Sequence, residues 1–347
     1  MSRKLRVVAL VDPELVPPDT IVGVSDEDMA DWKMEYDVRV TLEDLGHEVV
    51  CLGLEHLGQL AEVQRDFRPH IVFNMLEEFH GAATYEPMVV GHLELLRLPY
   101  TGCNPQGLLV AHDKALAKHV LRGAGIPTPP SRVFERTSRA AAGSISAKSL
   151  NFPLLVKSTV EDASLGIATD SVVHSERELR RRVQRVHDDQ CTDALVEEFI
   201  EGRELYVGTL GNQRPTALPV WELRFRRLPP GTPNIATADV KWDGDLQKEW
   251  GVMTERAKLP AAWERRLQSL ARRVHRTLGI SGYARMDFRV TASGEPYVLE
   301  ANPNPNLSYG EDYAESADAA GLDYESLLQR ILNLGLSYPA AWKRQLV

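Results

Sequence analysis

An α/β fold with an N-terminal parallel sheet is what the first hundred residues predict, because short apolar runs alternate there with helix-period segments. Leu5 to Val11 is an unbroken apolar run of strand length. Val38, Leu42 and Leu45 fall on one helical face that Gly46 ends. The alternation then repeats: strand Val49 to Leu54, helix Leu57 to Phe67, strand Ile71 to Leu76, and helix Met88 to Leu96 closed by Pro99. Strands alternating with helices make βαβ units and a parallel sheet. The first strand runs into Val11-Asp12-Pro13-Glu14-Leu15 without G-x-G-x-x-G, which speaks against a dinucleotide-binding version of that layout.

Tyr100-Thr-Gly102-Cys-Asn-Pro105 is turn chemistry and marks a boundary. Asp113 is placed to cap a helix whose Leu116, Val120 and Leu121 face the core, and Gly125-Ile-Pro127 ends it. Ala140 to Ser149 is Ala/Ser-rich, and Phe152 to Lys157 is a strand ending on a lysine. Asp170 to His187 holds a basic helix, and Leu195 to Val207 reads strand, turn, strand around Gly202. Short strands and polar loops fill Pro215 to Gly251. An amphipathic helix through Leu267, Leu270, Val274 and Leu278 feeds a hairpin, and a last helix covers Tyr324 to Leu336.

The chain has 347 residues, 43% hydrophobic and 26% charged, enough for two or three domains. A formal net charge of −9 argues against nucleic acid or anionic membrane as a partner. Cys51, Cys103 and Cys191 stand apart with no CxxC, which fits a reducing cytoplasm. No signal-peptide h-region precedes Asp12, and no apolar run approaches the ~20 residues that span a bilayer.

The strongest chemical signal is the stretch Arg285-Met-Asp287-Phe288 returning through Glu300-Ala-Asn302. Side chains alternate along a strand, so Tyr283, Arg285 and Asp287 share one face, while Glu300 and Asn302 share a face opposite in sense to Leu299 and Ala301. A four-residue loop, Ala292 to Glu295, sets Asp287 across from Glu300 and Arg285 across from Asn302. Two carboxylates directly opposite repel unless a cation lies between them. Their oxygens suit a hard ion such as Mg²⁺, which shares its shell with substrate phosphates; a solvated face with an Arg–carboxylate pair is the other reading. Lys157, followed by a small, polar stretch from Ser158 to Gly166, either meets a phosphate or reaches solvent. Glu197 and Glu204 flank Gly202 and are either nucleoside contacts, with Phe199 and Ile200 as apolar cover, or exposed strand glutamates. His80, after the third strand, is a substrate contact or a structural histidine.

Taken in order, His112-Asp113-Lys114, Pro153 to Lys157, Glu197-Glu198-Phe199-Ile200 with Glu204, Arg285-Met-Asp287 and Glu300-Ala-Asn302 resemble the ATP-grasp superfamily and, within it, the D-alanine–D-alanine ligase family. The resemblance runs from about Ile71 to Leu336. It implies three α/β domains: an N-terminal domain over residues 1–105, a central one over 106–205 and a C-terminal, metal-binding one over 206–347, with ATP held between the last two. It implies that Lys114 and Lys157 hold ATP phosphates, that Glu197 and the backbone of Glu198, Phe199 and Ile200 hold adenine, and that Glu204 holds ribose. Asp287, Glu300 and Asn302 would bind Mg²⁺, with Mn²⁺ as the alternative. Arg285 would stabilise negative charge at the reacting carboxylate, Lys241 falls where the family has a lysine–tyrosine pair, and Ser164 falls in the loop over the active site. The implied activity is an ADP-forming carboxylate–amine ligase on small amino-acid or dipeptide-like substrates, without nucleic acid or membrane; dimers are common in the family. The alternatives are a true D-alanine–D-alanine ligase and a non-catalytic ATP-binding regulator.

The substrate side departs from the family. Its Gly-Gly-x-Ser segment with a following glutamate is replaced by Asp12-Pro13-Glu14-Leu15, and its His-Gly-x-x-Gly-Glu-Asp-Gly by His80-Gly81-Ala-Ala-Thr-Tyr85-Glu86-Pro87. In the mobile loop, the family's glycine and first serine become Asp162 and Ala163. After the last metal ligand, Thr-x-Pro-Gly becomes Pro303-Asn304-Pro305-Asn306. Substrates other than D-alanine are therefore expected, and Arg224, Arg226 and Arg227 either receive a carboxylate or line a solvated loop.

Overall fold

In a computed structural model, described over residues 4–136, 145–160, 166–238, 240 and 243–344, three sheets organise the chain. The first is parallel: β1 (Arg6–Val11) lies between β2 (Glu48–Gly53) and β3 (Ile71–Asn74). Its central strand is buried on both faces, as a helix-covered parallel strand must be. Val8 and Leu10 pack into one apolar core, while Val7, Ala9 and Val11 pack with Val38 and Leu42 of the helix Lys33–Asp44 into another. The expected strands and helices of this region are present to within two residues at their ends.

The second sheet, in the order β4-β7-β5-β6, is antiparallel and contains β4 (Ser131–Phe134), β5 (Leu154–Ser158), β6 (Val172–Val173) and β7 (Ala194–Glu198). Leu179, Val183 and Val186 of the helix Glu176–Asp189 cover its inner face in a core of its own. That helix carries most of the Arg-rich stretch on its outer side, with Arg182 turned inward, and starts at Ser175, whose hydroxyl accepts from the Glu178 amide.

The third sheet, in the order β10-β9-β8-β11-β12, joins β8 (Arg203–Leu210), β9 (Thr216–Phe225), β10 (Val252–Arg256), β11 (Tyr283–Val290) and β12 (Pro296–Pro303). Met286, Phe288 and Val290 point to the core shared with Leu270 and Val274 of the helix Ala261–Thr277, as the alternation requires. The same core reaches Val8 and Leu10 of the first sheet.

The β11/β12 hairpin keeps the expected pairs, Asp287 opposite Glu300 and Arg285 opposite Asn302, but reaches them differently. The register shifts after Asp287, so that Phe288 pairs with Val298 and Leu299 is the extra residue of a bulge. The turn is correspondingly one residue shorter than the four-residue loop expected: the Thr291 amide donates to the Glu295 carbonyl at 3.0 Å, leaving Ala292 to Gly294 between them. The bulge also corrects the face assignment, since Leu299 turns to the same side as Glu300.

The capped helix is Lys114–Gly123, with Asp113 Oδ1 accepting from the amides of Ala115 and Leu116 at 3.0 and 2.9 Å. Its buried face differs from the expected one. Leu116 is 43% exposed, whereas Lys114, Ala117, Lys118 and Leu121 turn inward. Those four positions follow the i, i+3, i+4, i+7 spacing of a single helical face.

Candidate active site

A cleft opens between the second and third sheets. One wall is Leu155, Lys157, Glu197, Glu198, Phe199 and Ile200; the other is Glu204, Tyr206, Asp287, Arg289, Leu299 and Glu300. Eight residues singled out from the sequence therefore line one space, which strand pairing brings about. Leu155 pairs with Glu197 and Lys157 with Leu195, so Lys157 and Glu197 share a face. Lys114 reaches the same region from its helix start, with Nζ 3.7 Å from Glu300 Oε2 and its backbone amide donating to Thr159 at 2.9 Å. Ser164 and Lys241 lie outside the described residues.

At one end of the cleft, Glu197 is 1% exposed and carries two ammonium partners: Lys118 Nζ at 2.8 Å on Oε2 and Lys157 Nζ at 3.0 Å on Oε1. Burial alone would raise the Glu197 carboxyl, but the two lysines outweigh it and its pKa lies below the ordinary value. Burial lowers the Lys118 ammonium, with Glu197 opposing the shift. On the facing wall, Glu204 Oε2 meets Arg289 at 2.8 Å and Oε1 accepts from the Tyr206 hydroxyl at 2.9 Å. The Arg289 guanidinium also lies 5.6 Å from the centre of the Phe199 ring.

At the other end, Asp287 is held on both oxygens. Arg285 Nε donates to Oδ1 at 2.8 Å and Nη2 to Oδ2 at 3.0 Å, and Asn302 Nδ2 donates to Oδ2 at 3.0 Å. Burial pulls the Arg285 pKa down, yet Asp287 overcomes this and holds it well above the ordinary value. Its guanidinium stacks 4.5 Å from the Tyr206 ring centre, and Asp312 lies 3.9 Å away. Asn302 Nδ2 also reaches Glu300 Oε1 at 3.4 Å, so both carboxylates converge on one amide. No group of three His, Cys, Asp or Glu side chains forms a metal site among the described residues; the set is two carboxylates and an amide. That hard-oxygen set fits Mg²⁺, which takes one or two carboxylates and completes its shell with water and phosphate oxygens.

Lys118, Arg289, Tyr206 and Leu299 belong to this site and were not singled out from the sequence. Arg289 was legible, because it continues the alternation of Arg285 and Asp287. Lys118 stands one helical turn after Lys114, but its place depends on Glu197, far along the chain.

The remaining candidates lie apart from the cleft lining. His80 has a backbone φ of 54° and stacks on Phe79 at 4.0 Å between ring centres. Arg224 pairs with Glu255 at 2.6 Å on the outer strands of the third sheet. The exit loop of the hairpin is committed to structure at Asn304, whose Oδ1 accepts from the Cys103 amide at 2.8 Å and whose Nδ2 donates to buried Glu86 at 2.9 Å. No helix among the described residues is long and apolar enough to cross a membrane.

Comparison with known proteins agrees with this geometry. Residues 120–333 match the family model for the D-ala D-ala ligase C-terminus. The chain is 33% identical over 307 residues to a Sinorhizobium fredii protein named only as uncharacterized, covering 86% of this chain and 85% of that one. It is 30% identical over 314 residues to the D-alanine–D-alanine ligase of Desulforudis audaxviator, covering 90% and 95%. In three dimensions it is similar to the ATP-complexed D-alanine–D-alanine ligase of Bacillus anthracis, with a TM-score of 0.74, 24% identity, and coverage of 99% and 100%. The chain belongs to the D-alanine–D-alanine ligase family, the ATP-dependent carboxylate–amine ligases of the ATP-grasp fold.

Proposed function

We propose that this protein joins the carboxylate of one amino-acid-like substrate to the amine of another, through an acylphosphate, and that the pair differs from two D-alanines. The observation that carries the reading is the single cleft with Lys157 and Glu197 on one wall and Asp287 and Glu300 on the other. In this reading Lys114 and Lys157 hold the phosphates of ATP. Glu197, with the backbone of Glu198 to Ile200, takes the adenine, and Glu204, fixed by Arg289, the ribose. Asp287, Glu300 and Asn302 hold Mg²⁺, which when bound neutralises phosphate charge.

A substrate carboxylate oxygen attacks the γ-phosphorus as the bond to ADP breaks. The amine nitrogen of the second substrate then attacks the acyl carbon, phosphate leaves, and the nitrogen loses a proton. Arg285 sits beside Asp287, where a guanidinium can stabilise the negative charge that builds on the reacting carboxyl. Ser164, where the family has its loop over the active site, and Lys241, where the family has a lysine–tyrosine pair, keep their family roles in this reading. The three sheets support a division of the chain near residues 105 and 205. A cytoplasmic location, supported by the use of ATP, and a homodimer complete the proposal.

The substrate claim rests on what surrounds the cleft. Buried Glu35 has Asp12 and Glu77 as its charged neighbours, beyond the ends of β1 and β3, where open α/β sheets take their ligands. Glu311 and Asp312 follow the exit loop beside Arg285. The acidic group around Glu35 does not favour a free substrate carboxylate there, whereas Lys33 and Arg285 offset Glu311 and Asp312.

The test is a screen of D- and L-amino acids and amines for ADP release, with mass detection of products. ADP release that needs both an acid and an amine, with a hydroxamate when hydroxylamine replaces the amine, is expected. ADP formed without an amine alongside a stable phosphorylated product overturns the ligase mechanism, and D-alanyl-D-alanine as the best product overturns the substrate claim.

A further inference from the structure

Lys118 is 2% exposed and does not line the cleft, yet it touches two parts of it. Its Nζ lies 2.8 Å from Glu197 Oε2 and donates to the Leu299 carbonyl at 3.0 Å. Glu197 Oε1 in turn lies 3.0 Å from Lys157 Nζ. Two ammoniums thus bracket one carboxylate, and the outer ammonium also holds the bulge residue next to Glu300.

The charge balance of this row decides what the cleft offers. Lys118, Glu197 and Lys157 together carry one net positive charge. Without Lys118, Glu197 and Lys157 are a closed ion pair of zero net charge, and the ammonium facing the cleft is spent on its own neighbour. In a water-poor site that difference is large, because the interaction between charges is screened far less than in bulk solvent.

We propose that Lys118 is a positioning residue for polyphosphate binding. It neutralises Glu197 from behind, which leaves the Lys157 charge for the nucleotide phosphates, and it pins the Leu299 carbonyl so that the bulge presents Glu300 to the cleft. The inference rests on the reading of this cleft as the ATP site and adds a residue that makes no contact with the ligand. Its signature is selective: affinity that depends on phosphate charge falls, and affinity for the uncharged nucleoside does not.

The experiment is calorimetric titration of ATP, ADP and adenosine, with MgCl₂, into the wild type, K118M, K118Q and K118R. K118M is expected to weaken ATP and ADP by about 30-fold and adenosine by less than about threefold, on the scale of a lost charge-assisted contact. K118R recovers most of the loss. K118Q, which also removes the charge, reproduces the selective loss seen for K118M. Equal losses for all three ligands, or no loss for ATP and ADP, overturn the proposal. If K118M does not fold, K118Q decides by the same comparison of ADP with adenosine. A wild type that binds neither ATP nor ADP refutes the nucleotide site itself, a separate outcome.

Discussion

Replacing Glu35 by glutamine should stabilise the protein above neutral pH and leave it unchanged near pH 4.5. Glu35 is 1% exposed on the helix Lys33–Asp44, and its Oε2 has no hydrogen-bond partner among the described residues. Burial, then the nearby carboxylates of Glu77 and Asp12, push its pKa from the ordinary 4.5 up to about 7, against a hydrogen bond from its own backbone. The sign follows from linkage. The unfolded chain releases this proton from about 4.5, while the folded chain keeps it to about 7. Folding is therefore penalised progressively across that window, and the stability present below pH 4.5 is lost as the pH rises through 7.

At ~1.36 kcal/mol per pH unit the full penalty is roughly 3 kcal/mol. For 347 residues, unfolding entropy of ~2.1 cal/mol/K per residue turns this into a rise of about 4 °C in Tm at pH 8 for Glu35→Gln. Differential scanning fluorimetry of both proteins from pH 5 to 8.5 reads it directly. A Tm gain that does not vary with pH, or a loss at pH 8, would show that Glu35 is not the strained carboxyl this geometry makes it.

Three further outcomes follow from the site and its supports. Asp287→Asn removes a charge from both Arg285 and the proposed metal pair, so ADP release should fall by about 10³-fold and need higher Mg²⁺; an unchanged Mg²⁺ titration refutes the assignment. Glu204→Gln leaves Arg289, 3% exposed, without its ionic partner, and the KM for ATP should rise by about tenfold with kcat nearly constant; a fall confined to kcat would place Glu204 elsewhere in the reaction. Gly282→Ala forces a Cβ against the Gly102 carbonyl oxygen at a φ of +72°, and thermal unfolding should show a loss of at least ~3 kcal/mol, whereas a neutral result would mean that the backbone there yields.

Much of the fold was legible because its signals are local. The parallel strands announce themselves as apolar runs, and the helices between them as periodic faces. The metal-type hairpin was legible for the same reason: alternation alone puts Asp287 beside Arg285, and an ordinary turn length brings Glu300 opposite. Two errors in the turn region cancelled. The turn is one residue shorter and Leu299 is inserted as a bulge, so the critical pair came out right from a loop that was not. A bulge leaves no local trace, because one extra residue in a strand changes neither its composition nor its apolar character.

The helix Lys114–Gly123 shows where sequence periodicity misleads. An apolar reading puts Leu116 in the core, yet Leu116 is 43% exposed and Lys118 is buried in its stead. Ordinarily this arrangement is unstable, since a buried ammonium without a partner costs several kcal/mol. It holds here because the face of the helix meets Glu197 on β7 and the Leu299 carbonyl on β12, acceptors supplied by two separate sheets. The partner that permits burial lies outside any local window, and local reading therefore assigns such a lysine to solvent. The same condition explains why the residue matters to function. A lysine can be kept in the interior only where a carboxylate is kept with it, and in this cleft that carboxylate already has a second lysine to answer. Burial of Lys118 and availability of Lys157 are one electrostatic arrangement.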